Sequence, residues 1–304
     1  MIIKTREEPL ELMLLRILNN RMHLTEKDVN YLISLEKGFK GEQKYDVWLE
    51  KYLSGEWIVI NDLLLDYNNN VFQIDSLLVS SKKMYLFNVK NYECDFYIED
   101  NRWYSPYDSE IKDPLLQLSR SETLLRQLLV VLGFKPQIEA LLIFINPEFH
   151  LYQAPLKLPA IFPSQLSRFM GKLNMCTSPL KARDTKLAQK LLSLHIKYNP
   201  YSRLPDYSYD NLKKGIICAS CNSFNQKVSN NNIVCLDCGF VEKVNKGVLR
   251  SLEEYQLLFP DERITVNSVQ DWCKVITNKN TVRNILSELY LLKVHGRSSF
   301  YVRK

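Results

Sequence analysis

No stretch of this sequence is apolar for long enough to cross a bilayer. Its most leucine-rich run, residues 124–134, is interrupted by Arg126 and Gln127. The opening MIIKTREEPLELM carries acids where a secretory signal needs an uninterrupted apolar core, so secretion is not expected. Internal repeats and low-complexity tracts are missing as well, which leaves an ordinary globular sequence. Nor do the cysteines make a disulfide framework. Seven is an odd number, and four of them form a metal pattern. The remaining Cys94, Cys176 and Cys273 are widely scattered. A cytoplasmic, reducing location is the expectation.

What is present is a chain of 304 residues, 46% hydrophobic. That length holds two domains, or one domain with small modules attached. The charge is lopsided. Residues 211–304 hold 14 Lys+Arg against 8 Asp+Glu, an excess equal to the net +6 of the whole chain. The first 210 residues are therefore neutral. A basic module on a neutral body points to a polyanionic partner, with a solvated basic surface as the plainer reading.

Periodicity sketches the elements. Residues 1–37 read as helices, the second starting at a capping box formed by Thr25 and Asp28. A further helix is expected over Glu42–Leu53, with Gly38 and Gly41 before it. Strand-like runs follow at Trp57–Leu65, Val71–Ser80, Met84–Tyr92 and 94–104. A helix is predicted over Pro114–Gly133, a buried strand over Ala140–Ile145 and a helix over Pro163–Leu173. Residues 198–214 read as linker, and a predominantly helical tail is expected from Asp261.

Cys218, Cys221, Cys235 and Cys238 stand as C-x2-C-x13-C-x2-C. Two residues between cysteines let one tight turn aim both sulfurs at a single ion, and two such turns close a tetrahedral site. Gly239 suits a turn position with positive φ. A structural zinc ion in a zinc ribbon is the expectation, against redox dithiols or free thiols. Zinc ribbons often occur in nucleic-acid-binding proteins, an association only.

Three local patterns carry possible chemistry. They are Gly38-Phe-Lys-Gly-Glu42, Phe72-Gln73-Ile74-Asp75 and Phe87-Asn88-Val89-Lys90. Strand alternation puts Gln73 and Asp75 on one face, and Asn88 and Lys90 on one face. Carboxylates and a lysine gathered in this way suit metal-dependent phosphodiester cleavage, although an exposed polar sheet face gives the same alternation. The runs GFKGEQKYDVWLEKYL, NDLLLDYNNNVFQIDSLLV, YLFNVKNYE and DPLLQLSRSETLLRQLL resemble, in order and spacing, the successive motifs of the nuclease-related domain (NERD) family over about residues 35–175. The resemblance implies a restriction-endonuclease-like αβββαβ core and a Mg²⁺- or Mn²⁺-dependent nuclease site. It makes Glu42 the helix acid, Asp75 the central metal-binding aspartate, Lys90 the catalytic lysine, and Gln73 and Gln117 supporting polar residues. Asn88 stands where the family usually has an acid, and Cys94 where a glycine is expected. The cation at Glu42 and Asp75 is thus short of one negative ligand.

Residues 264–304 predict two short helices, Asn267–Val275 and Asn280–Leu291, and then a ribbon over Lys293–Val302 turning at His295-Gly296. This order resembles a winged helix-turn-helix. Lys279, Arg283, Arg297, Arg303 and Lys304 are the expected phosphate-binding residues. The α/β chain then divides into N-terminal helices (1–37), a NERD-like domain (38–175), a helix and linker (176–214), a zinc ribbon (215–245) and a winged-helix-like module (260–304). Two functions stay open: a weak or impaired Mg²⁺-dependent nuclease delivered to DNA, and a non-catalytic DNA-binding or regulatory protein on a decayed nuclease scaffold. No membrane partner is expected.

Overall fold

The computed structural model describes every residue except Thr277, His295, Arg297 and Ser298. The chain opens with β1 (Ile2–Lys4), α1 (Leu10–Arg21) and α2 (Glu26–Tyr52). It forms two compact units, residues 1–10 with 33–202 and residues 11–32 with 203–304, so the boundary falls inside α2.

Two sequence expectations change in this opening segment. Ile2–Lys4 is a strand, not helix, and pairs in parallel with the next strand. The predicted glycine-rich start of a separate helix at Glu42 is instead the middle of the single 27-residue α2. Thr25 caps that helix as expected, its Oγ accepting the Asp28 N–H at 3.2 Å. Helix propensity alone argues against Gly41 in a helix interior, but packing requires it there. A Cβ at Gly41 would lie 2.2 Å from the Asn91 side chain.

The first unit is built on a six-stranded sheet. Its strands are β2 (Ile58–Tyr67), β3 (Asn70–Val79), β4 (Met84–Lys90), β8 (Ile138–Phe144) and β10 (Ala160–Ile161) together with β1, in the order β1-β2-β3-β4-β8-β10. β2, β3 and β4 run antiparallel in succession, and β8 lies parallel to β4. The predicted strand over 94–104 is two strands, β5 (Cys94–Glu99) and β6 (Arg102–Tyr104), turned at Asp100-Asn101 where φ is positive. With β7 (Glu110–Ile111) and β9 (Phe149–Tyr152) they form a small second sheet. Helices α3 (Pro114–Val131), α4 (Leu166–Met175) and α5 (Ala182–Ser193) complete the unit.

Alternation along β4 sorts the core into two layers. Met84 and Leu86 join Leu118, Leu125 and Leu129 of α3 and Leu187 and Leu191 of α5. Tyr85, Phe87 and Val89 join Tyr45 and Leu49 of α2 and Leu166, Met170 and Leu173 of α4. The sheet is thus covered on both faces, as a largely apolar strand such as β4 requires. The order α2-β2-β3-β4-α3-β8 follows the expected αβββαβ succession.

In the second unit β11 (Gln226–Ser229), β12 (Asn232–Cys235) and β13 (Val241–Lys243) form an antiparallel sheet that runs directly into α6 (Val244–Leu258). Sequence reading missed α6, which lies before the expected helical tail. Its Gly247 sits so close to the ribbon that a Cβ there would meet Ile233 at 2.7 Å. Next come α7 (Val266–Cys273), α8 (Lys279–Leu289) and an antiparallel pair, β14 (Tyr290–Lys293) with β15 (Phe300–Arg303). Val282, Ile285 and Leu286 of α8 are buried, but Leu289 is 42% exposed. α8 ends there, so Leu289 leaves the helical face. The expected turn at His295 lies outside the described residues.

Arg21 of α1 is the most deeply buried cation of this unit, at 1% exposure. Its guanidinium stacks 4.1 Å from the Trp272 ring, bonds Glu254 at 3.0 Å and donates to the Lys213 carbonyl at 2.9 Å. A buried cation with carboxylate, carbonyl and π partners is compensated on several sides.

Candidate active site and metal centre

Asp75 sits where two strand ladders break. β2 and β3 pair at Asn61–Ser76 and again at Leu63–Ile74, but the pair between them, Asp62 and Asp75, is absent from the ladder. Asp62 has a φ of 53°. Across this break the inward-facing positions of β2 change from Ile58 and Ile60 to Leu63 and Leu65. On the other side, the β3–β4 ladder ends at Ser76–Phe87. Freed from pairing, the Asp75 carboxylate turns to β4 and its Oδ2 accepts the Val89 N–H at 2.7 Å. Phe72 and Ile74 of β3 both enter the core layer of α3 and α5, which leaves Gln73 on the other face, where its Nε2 donates to Asp62 Oδ1 at 2.9 Å. Asp62 is one of the charges acting on Asp75.

The other expected groups come from three directions. Lys90, the last residue of β4, donates from Nζ to Gln117 Oε1 of α3 at 2.8 Å. Asn88, two residues earlier on the same face, is 2% exposed, and its Oδ1 has no hydrogen-bond partner. Glu42 approaches from α2. It lies close enough to Asp75 for the two charges to oppose each other.

Sequence reading missed the residue that binds this group together. Arg6, between β1 and α1, donates from Nη1 to Glu42 Oε2 at 2.7 Å, from Nε to Asp46 Oδ2 at 2.8 Å and from Nη2 to the Asp75 carbonyl at 2.8 Å. Its side chain is 3% exposed. Nothing in the local sequence around Arg6 signals this, because its partners lie more than 30 residues away. Asp62 was missed too, although it lies in the quoted NDLLLD run. It pairs with Lys4 at 3.5 Å.

The electrostatics follow from burial. Desolvation, reinforced by the Asp75 charge and opposed by Arg6, pushes the Glu42 carboxyl up to about 8. Burial also raises Asp75, against the pull of Lys90, the Val89 N–H and Arg6. Burial lowers Lys90, while Asp75 and Glu42 oppose that shift. For Arg6, burial works against the charge, but the bond to Asp46 and the charges of Glu42, Asp46 and Asp75 outweigh it. The site thus gathers carboxylates that resist ionisation around one internal guanidinium. The unpartnered amide oxygen of Asn88 is the feature that fits an additional cation, since a buried acceptor normally has a donor or ligand.

The second unit positions four thiols. Cys218 and Cys238 place their sulfurs 3.7 Å apart, and Cys221 and Cys235 place theirs 3.6 Å apart. All four lie within 4.8 Å of one another. A tetrahedral ion with metal–sulfur bonds of about 2.3 Å spaces its sulfurs by about 3.8 Å, so the thiols fit a metal ion. Each C-x2-C pair is followed by a residue with positive φ, Asn222 at 59° and Gly239 at 75°. The Gly239 N–H bonds the Cys235 carbonyl at 3.0 Å, closing one turn, and the Asn222 N–H bonds the Cys218 carbonyl at 3.1 Å, closing the other. Asp237 joins the two turns by accepting from Ser223 and, at 2.7 Å, from Asn225.

The expected phosphate-binding residues separate into two groups. Lys279 and Arg283 lie exposed on α8, with Arg283 bonded to Asn280 on the same helix, at 2.8 Å. Arg303 faces Glu253 at 3.8 Å, and Lys304 donates to the carbonyls of Ser287 and Glu288 at the end of α8. Arg297 lies outside the described residues. Among the described residues, no helix is long and apolar enough to cross a membrane.

No curated protein and no solved structure matches the chain. Residues 37–145, from the α2 segment carrying Glu42 through Asp75 and Lys90 to the end of β8, match the family model of the nuclease-related domain. This stretch, with its β2–β3–β4 meander and its acid-and-lysine cluster, is a NERD domain.

Proposed function

We propose that the chain is a nuclease-related, DNA-binding protein whose NERD domain, on a restriction-endonuclease-like scaffold, cleaves phosphodiesters weakly. The observation that supports this reading is the placement of Asp75. Its carboxylate sits in a gap between two strand ladders, bonded to Val89, with Lys90 one residue further along the same strand. A divalent cation, Mg²⁺ or Mn²⁺, would be held by Glu42, Asp75 and the Asn88 amide oxygen, and when bound it supplies charge neutralisation and an activated water. Lys90 offsets negative charge on the phosphate, and Gln117 fixes its amine in place. Gln73 acts through Asp62, and Arg6 holds Glu42 against the backbone of β3. Asn88 contributes no charge, and burial holds Glu42 protonated against the pull of Arg6. Both make this site a poor one for a hard cation.

The four cysteines hold structural zinc, and the ribbon with α7, α8 and β14–β15 acts as a winged-helix-like DNA module. Lys279 and Arg283, exposed on α8, are its phosphate contacts. Lys304 instead caps α8 by its bonds to the last carbonyls.

A second, non-catalytic reading is favoured by the Arg6–Glu42 pair, which fills the acid cluster with an internal cation. A cleavage assay on duplex and single-stranded DNA separates the two. Weak cleavage, stronger in Mn²⁺ than in Mg²⁺, is expected from the wild type. It should disappear in Asp75→Ala and rise in the isosteric Asn88→Asp. Absence of cleavage by all three proteins in both metals refutes the enzymatic reading.

A further inference from the structure

We propose that a DNA backbone lies in the groove beside α2, gripped by Lys37, Lys40 and Lys44, and leads from there to the Asp75–Lys90 site. This rests on reading that site as one for phosphodiesters, and it specifies the ligand and its path.

The groove has a volume of about 900 Å³, and Asn91 and Asn146 form part of its wall. Asn91 directly follows β4, and Asn146 follows β8 by one residue. These strands run parallel, so the groove opens at their carboxyl ends, where open α/β sheets bind their ligands. Asn91 adjoins Lys90 in sequence, so the groove begins beside the end of the strand that carries the candidate site. α2 is seated firmly on that wall. Gly41 leaves no room for a Cβ against Asn91, whose Nδ2 donates to the Lys37 carbonyl at 2.8 Å.

The three lysines lie at positions i, i+3 and i+7 of one helix face, and all three are exposed. Seven residues of helix rise by about 10 Å, the length of about three nucleotide steps in a duplex strand. A single phosphate would occupy only part of such a groove. Two carboxylates, Glu36 and Glu93, also line it. Lys37 pairs with Glu93 at 2.8 Å, but both are about half exposed, and an exposed pair of this kind is worth only about 0–1 kcal/mol. A phosphate can therefore take over Lys37. Lys40 and Lys44 form no ion pair among the described residues. No aromatic side chain lines the groove, so it offers no stacking platform for bases. Charge without stacking selects the backbone over the bases, and hence duplex DNA of any sequence.

The test is fluorescence anisotropy of a labelled DNA duplex with the full-length protein, read across a salt series. The wild type is compared with Lys37→Ala/Lys40→Ala/Lys44→Ala, with the same three positions changed to Arg, and with Lys40→Glu alone. The triple alanine variant should bind at least about tenfold more weakly at low salt. Its slope of log affinity against log salt should be shallower by about two to three, since each phosphate that is no longer neutralised removes about 0.9. The arginine variant should keep wild-type affinity, and Lys40→Glu should weaken binding. Unchanged affinity and slope in the triple alanine variant overturn the proposal. So does a weakening confined to single-stranded DNA. Asp75→Asn is measured alongside. If it and the wild type are equally inactive in cleavage while the lysine variants lose affinity, the catalytic reading fails and the groove stands. If Asp75→Asn abolishes cleavage while the lysine variants bind and cleave as the wild type does, the groove fails and the catalytic reading stands.

Discussion

In the NERD-bearing unit, Tyr45, Trp57 and Phe87 are at most 1% exposed and pack with aliphatic side chains from two helices against one face of a six-stranded sheet. In the second unit, the bulkiest fully buried groups among the described residues are Trp272 and a charged one, Arg21, and the three-stranded ribbon has a small apolar contact at Ile233 beside its four clustered thiols. The difference teaches where each unit can tolerate polar chemistry. The large core of the first unit carries enough apolar burial to hold an under-satisfied cluster, with Asn88 Oδ1 unpartnered and Glu42 resisting ionisation. In the small ribbon the four thiols lie within reach of a single ion, and Asp237 bonds across the turns. Small modules below the size of a self-sufficient core depend on such staples.

The sharpest way to break this comparison is to remove the staple. Cys221→Ser combined with Cys238→Ser should abolish metal binding, which in small thiolate modules is worth about 10–16 kcal/mol of folding free energy. Elemental analysis should find about one zinc per wild-type chain and none in the variant, with the melting of the sheet unit unchanged. In the other direction, Phe87→Ala should cost the first unit about 3–5 kcal/mol by opening a cavity between β4 and α2, and denaturant melts should show this while the zinc content stays intact.

Arg21→Met probes whether the second unit needs its buried charge. Removing one partner of a buried pair leaves Glu254 with the more distant Arg250, 3.8 Å away, and about 3 kcal/mol of destabilisation is expected, read from the Trp272 indole resonance during unfolding. A gain in stability would show that an apolar side chain serves as well there. A further effect is one of pH. The folded-state pKa of Glu42 lies at about 8, above the ordinary carboxylate value of about 4.3. The folded protein therefore keeps a proton that the unfolded chain releases between these values. Its contribution to stability is complete below the unfolded value and is lost as pH rises towards 8. The Tm should fall from pH 5 to 8 in the wild type, and less steeply in Glu42→Gln. Equal slopes would show that Glu42 is ionised throughout that range.

Several features were legible without coordinates because their causes are local. The thiol spacing needs only a tight turn, and Gly239 indeed has positive φ. The capping role of Thr25, the strands of the β2–β4 meander and the proline at the start of α3 are set by neighbours in sequence. The motif set from Glu42 to Gln117 likewise lies in a stretch that matches the NERD model. Glu42 lies in a helix, as its motif implies, but that helix runs from Glu26, because the Asn91 side chain makes Gly41 necessary in its interior where propensity alone disfavours it.

The sequence by itself therefore determined the metal-binding pattern, the strand order of the meander and the residue types of the candidate site, since period, turn chemistry and spacing act over a few residues. Only the tertiary structure decided that Arg6 joins Glu42, Asp46 and the Asp75 carbonyl. Only it decided that Asp75 lies in a ladder break beside Asp62, that Arg21 lies against Trp272, and that Lys37, Lys40 and Lys44 line a groove at the ends of two parallel strands. These pairings join residues dozens to hundreds of positions apart. Packing of the whole unit brings such pairs together, and no local preference of the chain encodes the distance between them.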